Sequence, residues 1–286
     1  MRRMILLGSL VLVAATATAQ EASPTPAPRR LLTDAEQERF LLEGDIVRRR
    51  SAPGGITNSQ RATLRHEGFE HDVHIQKIDE YKFQNPLSGG LELDFRDSYR
   101  NNVAAYRLDR LLGLGMVPVT VVRNDGPGRA AFTWWVDDVL MDEKTRLARK
   151  IRTPDVVAWN NQMYVVRVFD QLIYNFDRNL GNLLIGNDWR IWMIDHTRAF
   201  KTFKEIKAAK DLGPRCERRL LAGMRRLEAA TLKERMKDLL SPYQIDGLLA
   251  RRDFIVRHYD EKIARQGEEA VLYDLPPRLN ESVAAR

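Results

Sequence analysis

Residues 169–200 constrain this chain more than any other stretch. They read Phe-Asp-Gln-Leu-Ile-Tyr-Asn-Phe-Asp-Arg-Asn-Leu-Gly-Asn-Leu-Leu-Ile-Gly-Asn-Asp-Trp-Arg-Ile-Trp-Met-Ile-Asp-His-Thr-Arg-Ala-Phe. Upstream, Val156, Val157, Met163, Val166, Val168, Phe169, Leu172 and Ile173 recur at helical spacing, which predicts a long helix over Asp155–Asn175. Asn182–Ile185 reads as a short strand, Gly186-Asn187-Asp188 as a turn, and Trp189–Ile194 as a second strand ending at Asp195. A tight hairpin puts Asn182 within a residue or two of facing Asp195. Two oxygen-bearing side chains therefore converge at its open end, with Asp177 on the adjoining loop.

That arrangement suits metal-assisted phosphoryl transfer. Mg2+ and Mn2+ take hard oxygen ligands, commonly one or two carboxylates completed by phosphate and water. Asn182 and Asp195 are the candidate metal ligands, and Asp177 is placed to orient or accept the proton of an acceptor hydroxyl. Asp and Asn are also ordinary turn residues, so spacing alone leaves plain turn chemistry open. The order helix, loop, strand, turn, strand, Asp is the more specific signal.

Asp177-Arg178-Asn179-Leu180-Gly181-Asn182 and Ile194-Asp195 resemble the catalytic and metal-binding loops of the atypical kinase-like superfamily. That superfamily includes the phosphatidylinositol kinases, HipA-type bacterial serine kinases and secretory-pathway casein kinases. The motif match covers about residues 170–200, and over about 45–265 the likeness lies in the order of elements. The resemblance implies an α+β, two-lobed protein-kinase-like fold, with a strand-rich N-lobe carrying one helix and a mainly helical C-lobe. It implies Asp177 as the catalytic Asp, Asn182 and Asp195 as metal ligands, ATP or another nucleoside triphosphate as donor, and Mg2+ or Mn2+ as the metal. His196-Thr197 follow Asp195 where a typical protein kinase has Phe-Gly.

The nucleotide side is less explicit. Ser51–Ser59, with Gly54, Gly55 and Thr57, lies between two strands and suits either a phosphate-covering loop or a plain hairpin turn. Val73, Ile75 and Lys77 share one strand face, making Lys77 the candidate phosphate-clamping lysine. The following helix carries Asn102 where a glutamate partner is sought, so Glu92 or Asp94 substitutes, another partner serves, or the protein is weak or inactive.

The remaining elements frame this site. Thr33 and Glu36 form a capping box for a short helix to about Glu43. Strands are predicted at Asp45–Arg50, Gln60–Arg65, Phe69–Ile78, Val117–Arg123 and Ala130–Val136, and a helix over Asp97–Leu112. Ser241-Pro242 opens a last long helix. Residues 33–138 are read as the N-lobe, 139–272 as the C-lobe and 273–286 as a tail.

Met1–Ala19 has the basic start, short apolar run and small residues of a secretory signal, with cleavage expected before Gln20, and 20–32 reads as a Pro-rich spacer. An exported, periplasmic or extracellular protein is expected. Cleavage removes Arg2 and Arg3 from 46 cations, leaving 44 against 39 anions, or +5. That mild charge, without a basic stripe interleaved with aromatics, argues against nucleic acid. It leaves peripheral contact with an anionic membrane open through the basic stretch Arg215–Lys237. Arg48-Arg49-Arg50 reads as a solvated strand edge, and His66, His71 and His74 as a solvated strand face, not a zinc site. Trp134-Trp135 reads as core, with an adenine wall as the other reading. One cysteine, Cys216, excludes an intramolecular disulfide. The expected partners are a nucleotide and a hydroxyl-bearing protein, lipid or glycan acceptor. The alternative function is a catalytically inactive pseudokinase-like binding or scaffold protein.

Overall fold

Thr33 caps the first helix, α1 (Asp34–Glu43), through the reciprocal pair Thr33 N to Glu36 Oε2, 2.8 Å, and Glu36 N to Thr33 Oγ1, 3.3 Å. The computed structural model describes residues 32–51, 59–87, 90–176 and 178–276. The signal-like segment, most of the spacer, Gly54, Gly55, Thr57, Asp177 and the tail beyond Pro276 lie outside the described residues. Strands β1 (Asp45–Ser51), β2 (Gln60–His66) and β3 (Phe69–Gln76) follow α1. Next come β4 (Asp79–Leu87), β5 (Gly90–Ser98), α2 (Tyr99–Leu111), β6 (Thr120–Asp125) and β7 (Gly128–Trp134). Five of these strands form an antiparallel sheet in the order β1-β2-β3-β7-β6.

One face of that sheet is apolar because alternate residues point the same way. Ala62, Leu64, Val73, Ile75 and Phe132 are buried there. Phe40 of α1 packs edge-on against Trp134 and Phe69, both at 5.4 Å between ring centroids. Burying a side chain such as Phe40 contributes about 2–3 kcal/mol. Trp134 is partly buried and packs against this core, stacked on His71 at 3.7 Å.

The β4–β5 ribbon pairs only with itself and was not foreseen from sequence. Tyr81, Phe83, Leu91 and Leu93 stay exposed, although Leu91, Leu93 and Phe95 alternate with Glu92, Asp94 and Arg96 as strand residues do. Ser98 ends the ribbon and caps α2, its Oγ accepting from Arg100 N at 3.2 Å.

Beyond β7 the chain turns helical. Its elements are β8 (Val139–Asp142), α3 (Glu143–Ala148), α4 (Val156–Leu172), β9 (Leu183–Gly186), β10 (Ile191–Met193), β11 (Cys216–Glu217), α5 (Arg218–Arg226), α6 (Ala229–Arg235), α7 (Pro242–Gln266), α8 (Glu268–Val271) and β12 (Leu272–Tyr273). Asp155 caps α4 by accepting from Val157 N and Ala158 N at 2.8 and 3.0 Å. Ser241 and Gln244 form the capping box of α7. The sequence-predicted basic stretch breaks into β11, α5 and α6, with Leu220, Leu221, Met224 and Leu232 buried. Cys216 is buried too, and burial pushes its thiol up. No helix among the described residues is long and apolar enough to cross a membrane.

Candidate active site

β9 and β10 pair with Leu183 opposite Met193, and Ile194 N donates to Asn182 O at 3.0 Å. One step further, Asn182 Nδ2 donates to Asp195 Oδ2 at 3.2 Å, and Thr197 Oγ1 donates to Asp195 Oδ1 at 3.2 Å. The two sequence-predicted ligands therefore meet at the open end of the hairpin. Asn182 keeps its carbonyl oxygen for another partner while its amide nitrogen holds Asp195. Asp195 has φ +56°, in the left-handed region that Asp tolerates better than most residues. Such backbone persists where neighbours fix it. Here α2 does so: Asn102 Oδ1 accepts from His196 N at 2.7 Å, and Asn101 Nδ2 donates to the carbonyls of Thr197 and Ala199 at 2.7 and 2.9 Å. Asn102 thus serves the chain after Asp195, in the place where a glutamate was sought.

Arg178 anchors the other side. Its Nε and Nη2 grip Asp170 of α4 at 3.0 and 2.8 Å, and its Nη1 donates to Ile194 O at 2.7 Å. Asn175 Nδ2 also donates to Asp170 Oδ1, at 2.9 Å. One guanidinium thereby ties the loop, the helix before it and the residue before Asp195 into a single unit. Sequence reading missed this role. The available signal was a lone Arg beside Asp177 and an Asp five positions before the end of the predicted helix. His196 is buried directly after Asp195, and burial together with Arg178 holds its imidazole far below its ordinary range, hence neutral.

A further carboxylate enters from β5. Asp97 is held above the usual carboxylate range, chiefly by burial. A Thr197 hydrogen bond pulls it down, while Asp195 pushes it up by repulsion. One of its oxygens, Oδ1, is buried without a hydrogen-bond partner. On the roof above, burial lowers the His74 imidazole, with Asp195 pulling the other way. Asn182, Asp195 and Asp97 offer hard oxygen donors, one of them orphaned, beside a neutral imidazole. That donor set fits Mg2+ or Mn2+.

No protein-family model matches the sequence, and no curated protein matches it. Solved structures do match. Hydra Fam20 with sugar superposes with a TM-score of 0.64 at 14% identity, over 84% of this chain and 92% of that one. The Golgi casein kinase superposes at 0.59 and 14% identity, over 85% and 80% of the two chains. Its form with Mn/ADP bound gives 0.59 at 13%, over 86% and 80%. The chain shares the kinase-like fold of these structures.

Within that kinase-like fold, the nucleotide side departs from the sequence expectation. Lys77 follows the face of Val73 and Ile75, which is the α1 side, and its Nζ lies 2.8 Å from Asp125 Oδ2. Asp125 also binds Arg49, and Arg49 first, then Lys77, holds its carboxyl down at about 2 despite burial. Lys77 is therefore committed to the β6–β7 turn and away from the face that carries His74. Neither acidic substitute reaches it. Glu92 pairs with Lys201 and Arg198 at 2.5 and 2.6 Å, and Asp94 accepts from Thr202 N at 2.7 Å. Burial would raise the Glu92 carboxyl, but these two cations outweigh it and hold it low. The histidines do not form a solvated face either. His71 lies 2.5 Å from Asp137, and its imidazole is 9% exposed. No metal-holding group of three His, Cys, Asp or Glu occurs among the described residues.

Proposed function

We propose that this chain is an exported phosphotransferase that moves a phosphoryl group from a nucleoside triphosphate to a hydroxyl acceptor with a divalent metal. The observation that carries this reading is the meeting of Asn182 and Asp195 at 3.2 Å, beside an under-partnered Asp97, on a kinase-like fold. Support for nucleotide and metal comes from the Golgi casein kinase that shares the fold and holds Mn/ADP. Support for export comes from the signal-like Met1–Ala19 and from the Golgi origin of that kinase.

Asn182 Oδ1, Asp195 and Asp97 would hold the metal, which when bound neutralises charge on the nucleotide phosphates. Asp177, outside the described residues, is assigned by the resemblance to the acceptor hydroxyl. That hydroxyl would attack the terminal phosphorus as the bridging P–O bond breaks, its proton passing to Asp177 and the nucleoside diphosphate leaving. Arg178 keeps the loop registered on the hairpin. The domain division at about residue 138 belongs to this proposal.

A second reading, a pseudokinase-like scaffold, is favoured by one observation, the withdrawal of Lys77 onto Asp125. Thermal shift with millimolar Mn·ATP and release of ADP separate the two. The first reading expects stabilisation that needs Mn2+, with turnover lost in Asp177→Ala and Asp195→Ala. Stabilisation without turnover, or no stabilisation at all, sinks the first reading and favours the scaffold.

A further inference from the structure

With Lys77 engaged by Asp125, the sheet face above Asp195 must supply the cations that meet nucleotide phosphates. That face can be read from register, because directly opposed residues share a side. His74, which feels Asp195, lies opposite Arg61 on β2 and Thr133 on β7. Arg61 in turn lies opposite Arg50 on β1. One step along, Asp72 faces Thr63, and Thr63 faces Arg48. Arg48, Arg50, Arg61, Thr63, Asp72 and His74 therefore form one polar field on the side opposite the α1 core.

Its charge is unbalanced. Asp72 takes Arg61 Nε at 2.7 Å, Arg50 Nη2 at 3.0 Å and Thr63 Oγ1 at 2.5 Å. Burial opposes ionisation of Asp72, yet Thr63, Arg61 and Arg50 together hold its carboxyl low. One carboxylate is thus shared by two guanidiniums, while Arg48 bonds the neutral Thr63 hydroxyl at 3.2 Å. Arg50 and Arg61 remain 46% and 32% exposed, so donors are left over for an anion. Arg61 is also flattened against Trp135, its guanidinium carbon 4.1 Å from the ring centroid, which fixes its plane. A planar, pre-placed guanidinium suits a phosphate better than a mobile ammonium does.

We propose that Arg61 and Arg50, steadied by Asp72 and Trp135, bind the nucleotide polyphosphate in place of a strand lysine. This rests on the phosphotransferase reading and names its phosphate-contacting residues. Arg61 lies directly opposite His74, which feels the charge of Asp195, so a polyphosphate held by the metal ligands would extend toward the arginines. Asp72 then sets their positions without touching the ligand.

The test is calorimetric binding of Mn·ADP, and of inorganic triphosphate in EDTA, to the folded full chain. Arg61→Gln is expected to weaken Mn·ADP about tenfold and Arg50→Gln/Arg61→Gln about a hundredfold. Triphosphate binding should fall in parallel and weaken as salt rises. Asp72→Asn removes the competing carboxylate and is expected to tighten triphosphate about threefold, a sign that misfolding cannot produce. Lys77→Met should stay within twofold of wild type. The clamp is overturned if wild type binds, Asp195→Ala loses Mn·ADP and the double arginine variant binds like wild type. It is equally overturned if Lys77→Met loses binding while the arginine variants keep it. If wild type binds neither probe, the phosphotransferase reading falls together with the clamp.

Discussion

Asp125 and Asp97 are both carboxylates at the ends of strands, and their surroundings are opposite. Asp125 is wrapped by Arg49 and Lys77 and ionises at about 2. Asp97 sits in a half-buried site beside Asp195, with one oxygen orphaned, and resists ionisation. The first spends two cations on holding the β6–β7 turn against β1 and β3. The second stands beside Asp195, with Arg198 and Thr197 offsetting only part of the cost of its charge. A folded chain tolerates such a carboxylate where an external cation completes it, and the contrast separates a carboxylate that braces the fold from one we propose to hold the metal.

The largest expected effect is at the functional pole. Asp195→Ala should lower phosphoryl transfer at least about a thousandfold and abolish Mn2+-dependent nucleotide binding, measured by ADP release and calorimetry. Wild-type turnover in that variant would erase the distinction between the two carboxylates. Next comes Arg178→Met, which unties Asp170 from the loop and should weaken Mn2+ about 10–100-fold, as loss of ligand-supporting contacts does. Arg178→Lys should recover little, because one ammonium cannot reproduce the fork on Asp170. Titration of Mn2+ against protein fluorescence reads both.

Asp97→Asn sharpens the comparison because two of its effects oppose each other. Mn2+ affinity should drop about tenfold, while the metal-free protein at pH 7 should melt about 2 °C higher as the burial of a charged carboxyl, and then its repulsion with Asp195, is relieved. The sign follows from the raised carboxyl. The folded state binds the Asp97 proton more readily than the unfolded chain does, so the stability gain shrinks as pH falls and is gone below about pH 3.9. Wild-type Mn2+ binding should accordingly begin to fail at a higher pH than an ordinary carboxylate dictates. A lower melting point in Asp97→Asn would contradict the raised carboxyl.

At the structural pole, Asp125→Asn should cost about 1–2 kcal/mol at neutral pH, discounted because Arg49 and Lys77 are partly exposed. Its carboxyl is depressed, so that contribution is present above about pH 4 and fades as pH falls toward about 2. Chemical denaturation at several pH values measures it, and Mn2+ affinity should not move. A change in Mn2+ affinity would join the two carboxylates into one network.

The legible parts of this molecule are those whose residues signal locally. The long α4 and the β9–β10 hairpin could be read because apolar periodicity and the Gly-Asn-Asp turn sit within the segment itself. Helix starts at Thr33 and Ser241 announced themselves through capping boxes. The β4–β5 ribbon escaped although Leu91, Leu93 and Phe95 alternate with Glu92, Asp94 and Arg96, because Pro86 interrupts the partner strand and the run leads straight into the α2 cap. Asp97 escaped because nothing near it in sequence marks it. Its character comes chiefly from burial and then from Asp195, both produced as α2 docks onto the segment after β10. Lys77 looked like a clamp because strand alternation was visible, but which face of β3 lies under α1 was not.

The sequence by itself determined that an Asn and an Asp would meet at the open end of one hairpin, since register over a short turn is a local property. Only the tertiary structure decided which charges stand above them. Long-range pairing placed Lys77 on Asp125 and turned Arg50 and Arg61 toward the face that carries His74. The physical reason is that a charge is defined by its neighbours within a few ångströms, and in this fold those neighbours come from strands far apart in the chain.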